Sequence, residues 1–443
     1  MKSIIALTMC SLFLLIGCKS DNKNNAKNER QPINNLQRSS QVQSTNSLQK
    51  DPQKSTDQQR ASQVANDQSI YNIKNPVVSV SPYSNVVHDV AFALSSSERS
   101  LLTYKMLGVD GKETTATTLV FVPKRPAPKE GWSTVVWAHP TTGVADKCAP
   151  SQKWITGSEV LIIALLNAGY VVVAPDYEGL GSAGSHPYLN LKSEAYSITD
   201  AVAATRIYLT KKGQKLSKKW LSIGHSQGGH AVLGAAQYAS RIQLDYKGTI
   251  AIAPSSNLEK AVKDKIQSVE GKTTALQIPA YAAIDAFISL VVAGTQGHDI
   301  TVTYSDIFKP HLAEIAPIAE RECMEEVVVA MTTKMTQFAA LNGNSLAAYG
   351  RLQDNFFQNV KIKQFLEKDS QPLLVKVETP IIIYQGDIDL VVPVATTDLL
   401  YANATKLGTR INYKKSMIWD HFTVYTNNHL DFLKDVKTLM PIQ

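Results

Sequence analysis

The stretch Lys219–His230, KWLSIGHSQGGH, decides the fold of this chain. It predicts a short apolar strand, an abrupt turn at Ser226 and a helix that begins at Gln227. The turn has the pattern Gly-x-Ser-x-Gly, in which Gly224 and Gly228 let strand and helix approach without Cβ clashes. The bare pattern often occurs by chance, but seldom with a strand before it and a helix after it. Ser226 is therefore predicted to be a nucleophile, and the backbone N–H of Gln227 to face an oxyanion.

Strand-like and helix-like segments alternate on both sides of this turn. Leu101–Gly108 and Thr114–Val122 alternate apolar and polar residues around a turn at Val109–Lys112, which predicts an antiparallel hairpin. The later predicted strands are Thr134–Ala138, Tyr170–Ala174, Trp220–Ile223, Thr249–Ala253, Pro380–Tyr384 and Ile411–Lys415. The predicted helices between them are Gly157–Ala168, Ser193–Lys211, Val394–Leu407 and His421–Leu439. This order predicts an α/β fold, a mostly parallel, doubly wound sheet whose active site lies at the carboxyl ends of the strands.

The alternation lapses over residues 255–377, which are predicted to be helical throughout. Ala275–Gly294 is strongly apolar, Ala316–Ala340 is amphipathic and Leu346–Phe365 is mixed. We interpret this segment as a helical cap inserted after the sixth core strand. The alternative is a set of packing helices remote from the active site.

The first 75 residues differ in composition from the rest. Lys2 precedes an apolar run from Ile4 to Ile16 that is too short to span a bilayer and typical of a signal peptide. In residues 19–74, Asn, Gln, Ser and Lys dominate, which predicts a disordered tether. Nine Lys and Arg against five Asp and Glu give this stretch a net charge of +4, and Lys2 adds one more. Only +2 of the total of +7 remains for the folded part, so nothing supports nucleic-acid binding.

The predicted domains follow from these changes in pattern: a signal peptide at 1–17, a tether at 18–75, a core in two parts at 76–254 and 378–443, and the cap at 255–377. The signal peptide ends in Leu15–Cys18, LIGC, which resembles the lipobox of bacterial lipoproteins. This resemblance implies cleavage before Cys18, acylation of Cys18 and attachment of an exported chain to the cell-envelope membrane. The alternative is an ordinary secreted protein that is cut nearby.

The base that activates Ser226 must lie downstream, because the elbow fold orders its triad as Ser, acid, His. Four histidines satisfy this condition. His298 and His311 lie in the predicted cap, and His429 lies inside the last predicted helix, facing away from the strand ends. His421 follows the last predicted strand, on the loop that opens that helix, and is the predicted base.

Two carboxylates lie where the acid of the triad is expected, at the carboxyl end of the predicted strand Pro380–Tyr384. The sequence that follows is Gln385–Pro393, QGDIDLVVP. Asp389 fits the spacing Gly-x-x-Asp-x-x-Val-Pro and is the predicted acid. Asp387 is the alternative, and would otherwise hold the turn through its own backbone.

The loop after Thr134–Ala138 should supply the second oxyanion donor. Its sequence is HPTTG, residues 139–143. We predict the backbone N–H of Thr141, with Thr142 as the alternative, because Pro140 has no N–H to donate.

Two cysteines remain in the folded part, since Cys10 would leave with the signal peptide and Cys18 would carry lipid. In an exported, oxidising setting Cys148 and Cys323 are predicted to pair, with two buried free thiols as the alternative. The disulfide would pin the cap over the catalytic face.

Three blocks of the sequence together resemble the secretory lipase family of α/β-hydrolases, which contains the fungal lipase A enzymes and bacterial relatives. They are His139–Ser151 (HPTTGVADKCAPS), Tyr170–Gly181 (YVVVAPDYEGLG) and Gly224–His230 (GHSQGGH). The resemblance covers about residues 80–440 and implies hydrolysis of carboxylic esters, including triacylglycerols, beneath a helical cap. Pro140 departs from the family pattern, because bacterial relatives usually have Gly there.

No cofactor or metal is expected. Gly179–Gly184 matches a dinucleotide fingerprint, but no apolar helix start follows it, and no metal-binding motif is present in the sequence. The expected chemistry is therefore transfer of an acyl group to water, on a lipid-like ester. The alternatives are a short-chain esterase or peptidase with the same triad, or a surface-anchored binding protein without catalysis.

Overall fold

The computed structural model describes residues 73–84, 89–153, 157–299 and 301–442. The chain divides into two units, residues 1–51 and 52–443, and the described residues all belong to the second. The predicted signal peptide, Cys18 and the tether up to residue 72 lie outside the described residues.

Nine strands form one sheet in the order β1-β2-β3-β5-β4-β6-β7-β8-β9. The pairs β1–β2, β2–β3 and β3–β5 are antiparallel, and all later neighbours are parallel. The predicted α/β fold with an antiparallel hairpin at one edge is therefore confirmed. The strands are β1 Val77–Pro82, β2 Ser96–Leu107, β3 Glu113–Pro123, β4 Trp132–Ala138, β5 Val171–Pro175, β6 Leu216–His225, β7 Asp245–Ile252, β8 Ile381–Gly386 and β9 Ile411–Ser416.

The first strand was not predicted. β1 pairs only with β2, at the edge of the sheet, and five of its six residues are exposed. Such a strand lacks the alternation of buried and exposed residues that makes a half-buried strand recognisable. The helical segment follows the strand predicted over Thr249–Ala253, which is the seventh in the structure because β1 precedes the six predicted strands.

Helices cover both faces of the sheet. On one face α3 and α4 pack against alternate strand residues such as Val136 and Trp220, and on the other α2 and α13 pack against residues such as Val135 and Trp137. The helices of this part are α1 Asp89–Ser95, α2 Glu159–Ala168, α3 Leu191–Lys211, α4 Gln227–Tyr238, α11 Val394–Lys406, α12 Thr423–Thr426 and α13 His429–Leu439. This two-sided burial explains why the central strands are continuous apolar runs.

The segment between β7 and β8 has an apolar cluster of its own, centred on residues such as Leu290, Phe308 and Met331. Its α-helices are α5 Leu258–Val269, α6 Thr274–Gln296, α7 Tyr304–Ile307, α8 Pro310–Ile315, α9 Met324–Leu341 and α10 Val360–Gln364. The apolar helix predicted over 275–294 is present as α6, and α5 lies in the part of the segment that was predicted to be helical without separate bounds. By length and composition α6 could cross a membrane, but half of its most apolar window is buried in the protein, as in a core helix.

Three predicted helices differ from the structure. The predicted helix Ala316–Ala340 is broken: a 3₁₀ turn at Ala316–Glu320 precedes α9, and Cys323 stands in extended backbone as the N-cap of α9. Cys323 is held there by a β-bridge to Gly143, a long-range contact that helical periodicity cannot reveal. Residues 346–365 contain only short helical pieces, with an irregular stretch before Phe356.

The predicted helix His421–Leu439 is also interrupted, between α12 and α13. The side chain of Asn428 donates to the carbonyl of Val424 at 2.8 Å, an alternative to continuing the helix that Asn commonly provides. His421 lies on the loop between β9 and α12.

Candidate active site

The turn at Ser226 has the strained backbone that the sequence predicts. Ser226 has φ 57° and ψ −115°, in the positive-φ region that side chains other than glycine rarely adopt. Its N–H donates to the carbonyl of Ile252 at 2.8 Å, which fastens the turn to β7. A Cβ on Gly224 would lie 2.3 Å from the carbonyl oxygen of Gly228, and one on Gly228 would lie 2.0 Å from that of Ala138. Only glycine fits at these two positions.

Asp389 and His421 are joined by a buried hydrogen bond, Oδ2 to Nδ1 at 2.8 Å. Each residue is 4% exposed. The other carboxylate oxygen of Asp389 accepts from the N–H groups of Val391 and Val392, both at 2.8 Å. Because an ionised carboxylate only accepts, Nδ1 of His421 carries the hydrogen, which leaves the lone pair on Nε2 as the basic atom.

Asp387, the alternative acid, has a different partner. Its carboxylate lies 3.6 Å from the ammonium of Lys415, and its N–H donates to the carbonyl of Ser416. Asp387 thus attaches the loop after β8 to the end of β9, whereas Asp389 on the same loop bonds to His421.

His421 lies beside the residue that precedes Ser226. The Nε2 atom of His225 is 2.8 Å from the carbonyl oxygen of His421, and the two imidazole rings have centroids 4.7 Å apart. The loop that carries the predicted base is therefore bonded directly to the turn that carries the predicted nucleophile.

The three other candidate histidines lie elsewhere. His298 contacts the carbonyl of Ser185 at 2.9 Å, and His311 stacks on Tyr349. His429 begins α13 and packs edge-on against Tyr425.

The two predicted oxyanion donors are available. Gln227 is the first residue of α4, and neither its backbone N–H nor that of Thr141 has a partner among the hydrogen bonds of the described residues. The hydroxyl of Thr141 is 2.8 Å from that of Tyr188, which fixes the side chain. Thr142, the alternative donor, instead accepts through its carbonyl from the N–H of Met324 at 3.0 Å.

Cys148 and Cys323 form a disulfide, the pairing expected from the sequence. It joins the loop after β4 to the first turn of α9, and both residues are buried. A Cβ on Gly143 would lie 2.9 Å from the sulfur of Cys148 and 3.0 Å from Cα of Cys323. The loop after β4 is thus held against the helical segment by the disulfide at Cys148, by backbone contacts at residues 142 and 143 and by close packing.

A buried polar network below Ser226 was not predicted. The side-chain amide of Gln227 donates to Oε1 of Glu194 at 2.8 Å and lies 2.9 Å from Nε2 of His186. The second oxygen of Glu194 lies 2.5 Å from Nδ1 of His230. Two features of the sequence could have indicated this network: His230, the last residue of GHSQGGH, and Glu194, a carboxylate in the buried helix α3. Neither reveals its partner, because the residues lie 36 positions apart.

His139, His186 and His225 are buried. Burial lowers the pKa of His139 to about 4 and that of His186 to about 3. Burial, together with the neighbouring His421, places the pKa of His225 well below its usual value. These rings are therefore neutral at physiological pH.

Within the described part of the chain, no group of three or more His, Cys, Asp or Glu side chains is arranged to hold a metal ion. Beyond the ends of neighbouring strands the chain carries a serine on a strained turn, a bonded carboxylate–imidazole pair and, among the described residues, two backbone N–H groups without a hydrogen-bond partner. On a mostly parallel sheet of this topology, that arrangement defines an α/β-hydrolase.

The chain belongs to the secretory lipase family, whose profile matches residues 149–431. It is 26% identical over 276 residues to lipase A of Arthroderma benhamiae, covering 60% of this chain and 52% of that protein. It is 24% identical over 321 residues to the secreted triacylglycerol lipase LIP4 of Malassezia globosa, covering 68% and 63%. The chain spans about half the length of the first curated relatives that it matches. Membership of a secretory family agrees with the predicted export.

Solved structures share the fold at low sequence identity. The rice cell wall degrading esterase LipA of Xanthomonas oryzae superposes with a TM-score of 0.62 at 20% identity, covering 83% of this chain and 98% of the esterase. Candida antarctica lipase A in its closed state superposes with a TM-score of 0.61 at 18% identity, covering 83% and 82%.

Proposed function

We propose that this protein is a serine hydrolase that cleaves carboxylic esters through a triad of Ser226, Asp389 and His421. The observation that carries the proposal is the buried 2.8 Å hydrogen bond between Asp389 and His421. The loop of His421 is itself hydrogen-bonded to His225, in the turn that carries Ser226. Family membership and the lipase and esterase names of the relatives support the same chemistry.

In the proposed mechanism, Nε2 of His421 removes the proton of Ser226 as the hydroxyl attacks the ester carbonyl. Asp389 holds the ring in the required tautomer and stabilises the imidazolium without taking the proton. The N–H groups of Gln227 and Thr141 receive the oxyanion, each contributing about 3 kcal/mol to the stability of the transition state. The alcohol leaves with the proton from His421, and water then repeats the sequence on the acyl-enzyme.

Exposed apolar side chains around the triad favour a lipid-like ester. Ile388 and Leu390 flank Asp389, and Phe422 follows His421 with its ring edge-on to the imidazole. Met417 and Ile418, four and three residues before His421, are more than three-quarters exposed. A water-soluble protein rarely leaves such side chains grouped at one site unless they contact an apolar ligand.

We further propose that residues 255–377 form a cap over Ser226, between core parts 76–254 and 378–443. The disulfide and the bond from Met324 to Thr142 support this, because both attach the segment beside the predicted oxyanion donor. The carboxyl end of α6 also packs closely there, since a Cβ on Gly294 would lie 2.5 Å from the carbonyl of His186. The acyl chain would lie between this cap and the strand ends.

The lipid anchor remains a proposal from the sequence: Cys18, acylated after cleavage of residues 1–17, would hold the protein at the cell-envelope membrane through the tether 18–75. An exported enzyme attached in this way would meet lipid or ester substrates outside the cytoplasm.

A panel of p-nitrophenyl esters from acetate to palmitate tests the proposed activity on the full-length protein. We expect hydrolysis that Ser226→Ala abolishes, with kcat/KM highest for medium or long chains. A maximum at acetate would instead identify a short-chain esterase. Cleavage of peptides but not esters would identify a peptidase, and no turnover of either would favour a binding protein.

A further inference from the structure

The residue between Gly224 and Ser226 in the Gly-x-Ser-x-Gly turn has contacts that the triad alone does not explain. His225 ends β6 and is 5% exposed. Its ring is stacked on Tyr425, with centroids 5.4 Å apart at 15°, and lies 4.7 Å from the ring of His421. Tyr425 packs in turn against Trp137 of β4, at 5.3 Å.

The hydrogen bond of His225 fixes its tautomer. Its Nε2 atom lies 2.8 Å from the backbone carbonyl of His421, and a carbonyl can only accept. Nε2 therefore carries the hydrogen, and burial keeps the ring neutral. The bond spans 196 residues and links the turn of Ser226 directly to the loop of His421.

The imidazole of His421 is thus held on three sides. Nδ1 bonds to Asp389, one side of the ring faces the ring of His225, and the ring of Phe422 stands edge-on at 5.5 Å. Among the residues that the structure describes, no hydrogen bond occupies Nε2, the atom that must reach Ser226.

We propose that His225 is a positioning residue that sets the distance and orientation of His421 relative to Ser226. Its N–H anchors the backbone of His421, and its neutral ring supports the imidazole without the repulsion that a second cation would exert on the imidazolium. This role rests on the proposed ester hydrolysis, and it assigns a function to a residue that the nucleophile pattern leaves free.

The test uses two variants of the full-length protein that separate the two contacts. His225→Phe keeps an aromatic ring against Tyr425 and His421 but removes the donor. His225→Gln keeps an N–H donor of similar reach but removes the ring. The matched control is His429→Phe, because His429 also packs against Tyr425, at 4.7 Å, but makes no hydrogen bond or ring contact with His421 within the described part of the chain.

With p-nitrophenyl butyrate as substrate, we expect His225→Phe to lower kcat by about 10- to 100-fold, since a small displacement of a catalytic group has effects of that size. KM should stay within about twofold. His225→Gln should retain at least about fivefold more kcat than His225→Phe, and His429→Phe should match the wild type.

A second measurement does not depend on turnover. The proton between His421 and Asp389 should give a far-downfield ¹H NMR signal, which should shift or broaden in His225→Phe and stay unchanged in His429→Phe. Circular dichroism checks that each variant is folded.

Several outcomes would overturn the role of His225: half or more of wild-type kcat in folded His225→Phe, equal losses in both His225 variants, or an unchanged downfield signal. Failure of both His225 variants to fold would assign the residue to stability instead. If the wild type is active, Ser226→Ala is inactive and His225→Phe is normal, only the positioning role fails. If Ser226→Ala hydrolyses the ester as well as the wild type, the proposed function fails and the role with it.

Discussion

Glu194 and His230 face each other with no access to solvent, their Oε2 and Nδ1 atoms 2.5 Å apart. The other ring nitrogen of His230 lies 2.8 Å from the carbonyl of Ser370, so it carries a hydrogen, and a second proton lies between the ring and the carboxylate. Glu194 also accepts from the N–H of Leu189 and the side chain of Gln227. One buried pair thus connects the helix after the nucleophile to the end of the segment 255–377.

Glu194→Ala should lower the free energy of unfolding by about 3–5 kcal/mol, because it leaves His230 and two further donors without their acceptor. Urea unfolding measures the loss. The matched control is Glu113→Gln, which breaks an ion pair of 2.7 Å with Lys105 on the exposed side of β3 and should cost less than about 1 kcal/mol. Similar losses in the two variants would contradict a special role for the buried pair.

The sequence predicts the part of this site that depends on local geometry. The turn at Ser226 follows from steric rules for Gly224 and Gly228, and the choice of Asp389 over Asp387 follows from spacing along one loop. The Glu194–His230 pair could not be predicted, because its members come from different helices and their pairing is set by packing. For the same reason the break before Met324 escaped prediction: its cause is the bridge from Cys323 to Gly143, 180 residues away.

The edges of the fold are the least predictable region. β1 is short and lies at the edge of the sheet. Five of its six residues are exposed, so the alternation of valine and serine over residues 78–81 corresponds to no buried face. The core strands and α2–α4 were predicted to within a few residues, because burial on both sides of the sheet selects long apolar runs there.

Substitutions in the proposed triad should separate the two carboxylates. Ser226→Ala and His421→Ala should each reduce kcat for ester hydrolysis by several orders of magnitude without unfolding the protein, because triad members act as a unit. Asp389→Asn should lower kcat by roughly 10⁴-fold, since the amide favours the wrong tautomer of His421. Asp387→Asn is the control and should be mild, because it loses only a contact to Lys415 at 3.6 Å. A greater loss in Asp387→Asn than in Asp389→Asn would exchange their roles.

Acid should destabilise the protein through its buried histidines. The pKa of His186 is lowered from 6.5 to about 3 by burial, so between these values the unfolded chain binds a proton that the folded chain does not. The free energy of unfolding is therefore unaffected above pH 6.5 and falls as the pH decreases below it, by up to about 1.4 kcal/mol per pH unit for this group. Burial raises the pKa of Asp176 from 3.8 to about 6, so between these values the folded chain binds the extra proton. This group therefore increases the free energy of unfolding as the pH falls below 6, opposite to the effect of His186.

The contribution of His186 is measured by the slope of the free energy of unfolding against pH. His186→Gln should flatten the dependence of the free energy of unfolding on pH between 6 and 4, whatever its effect at pH 7. His311→Gln, on an exposed ring, should leave the slope unchanged. Equal slopes in the wild type and His186→Gln would mean that His186 becomes protonated in the folded protein.

Membrane attachment should depend on one residue. Cys18→Ala should release the protein from the membrane fraction, because acyl chains on Cys18, and not the folded part, are proposed to anchor it. Fractionation with immunodetection measures the release, and Cys10→Ala is the control that should leave attachment intact. Retention of Cys18→Ala on membranes would contradict the lipoprotein proposal.

Reduction of the disulfide should loosen the segment 255–377 from the loop of Thr141. The bond between Cys148 and Cys323 closes a loop of 175 residues, for which chain entropy gives a stabilisation of roughly 5 kcal/mol as an upper limit. Reductant should therefore lower the melting temperature and increase proteolysis at Arg321, beside Cys323. It should also lower kcat, because the bond from Met324 to Thr142 holds the loop of the proposed oxyanion donor. The double variant Cys148→Ser, Cys323→Ser should behave like the reduced wild type and not respond to reductant. A melting temperature that reductant leaves unchanged would show that packing around Gly143, and not the covalent bond, holds the two parts together.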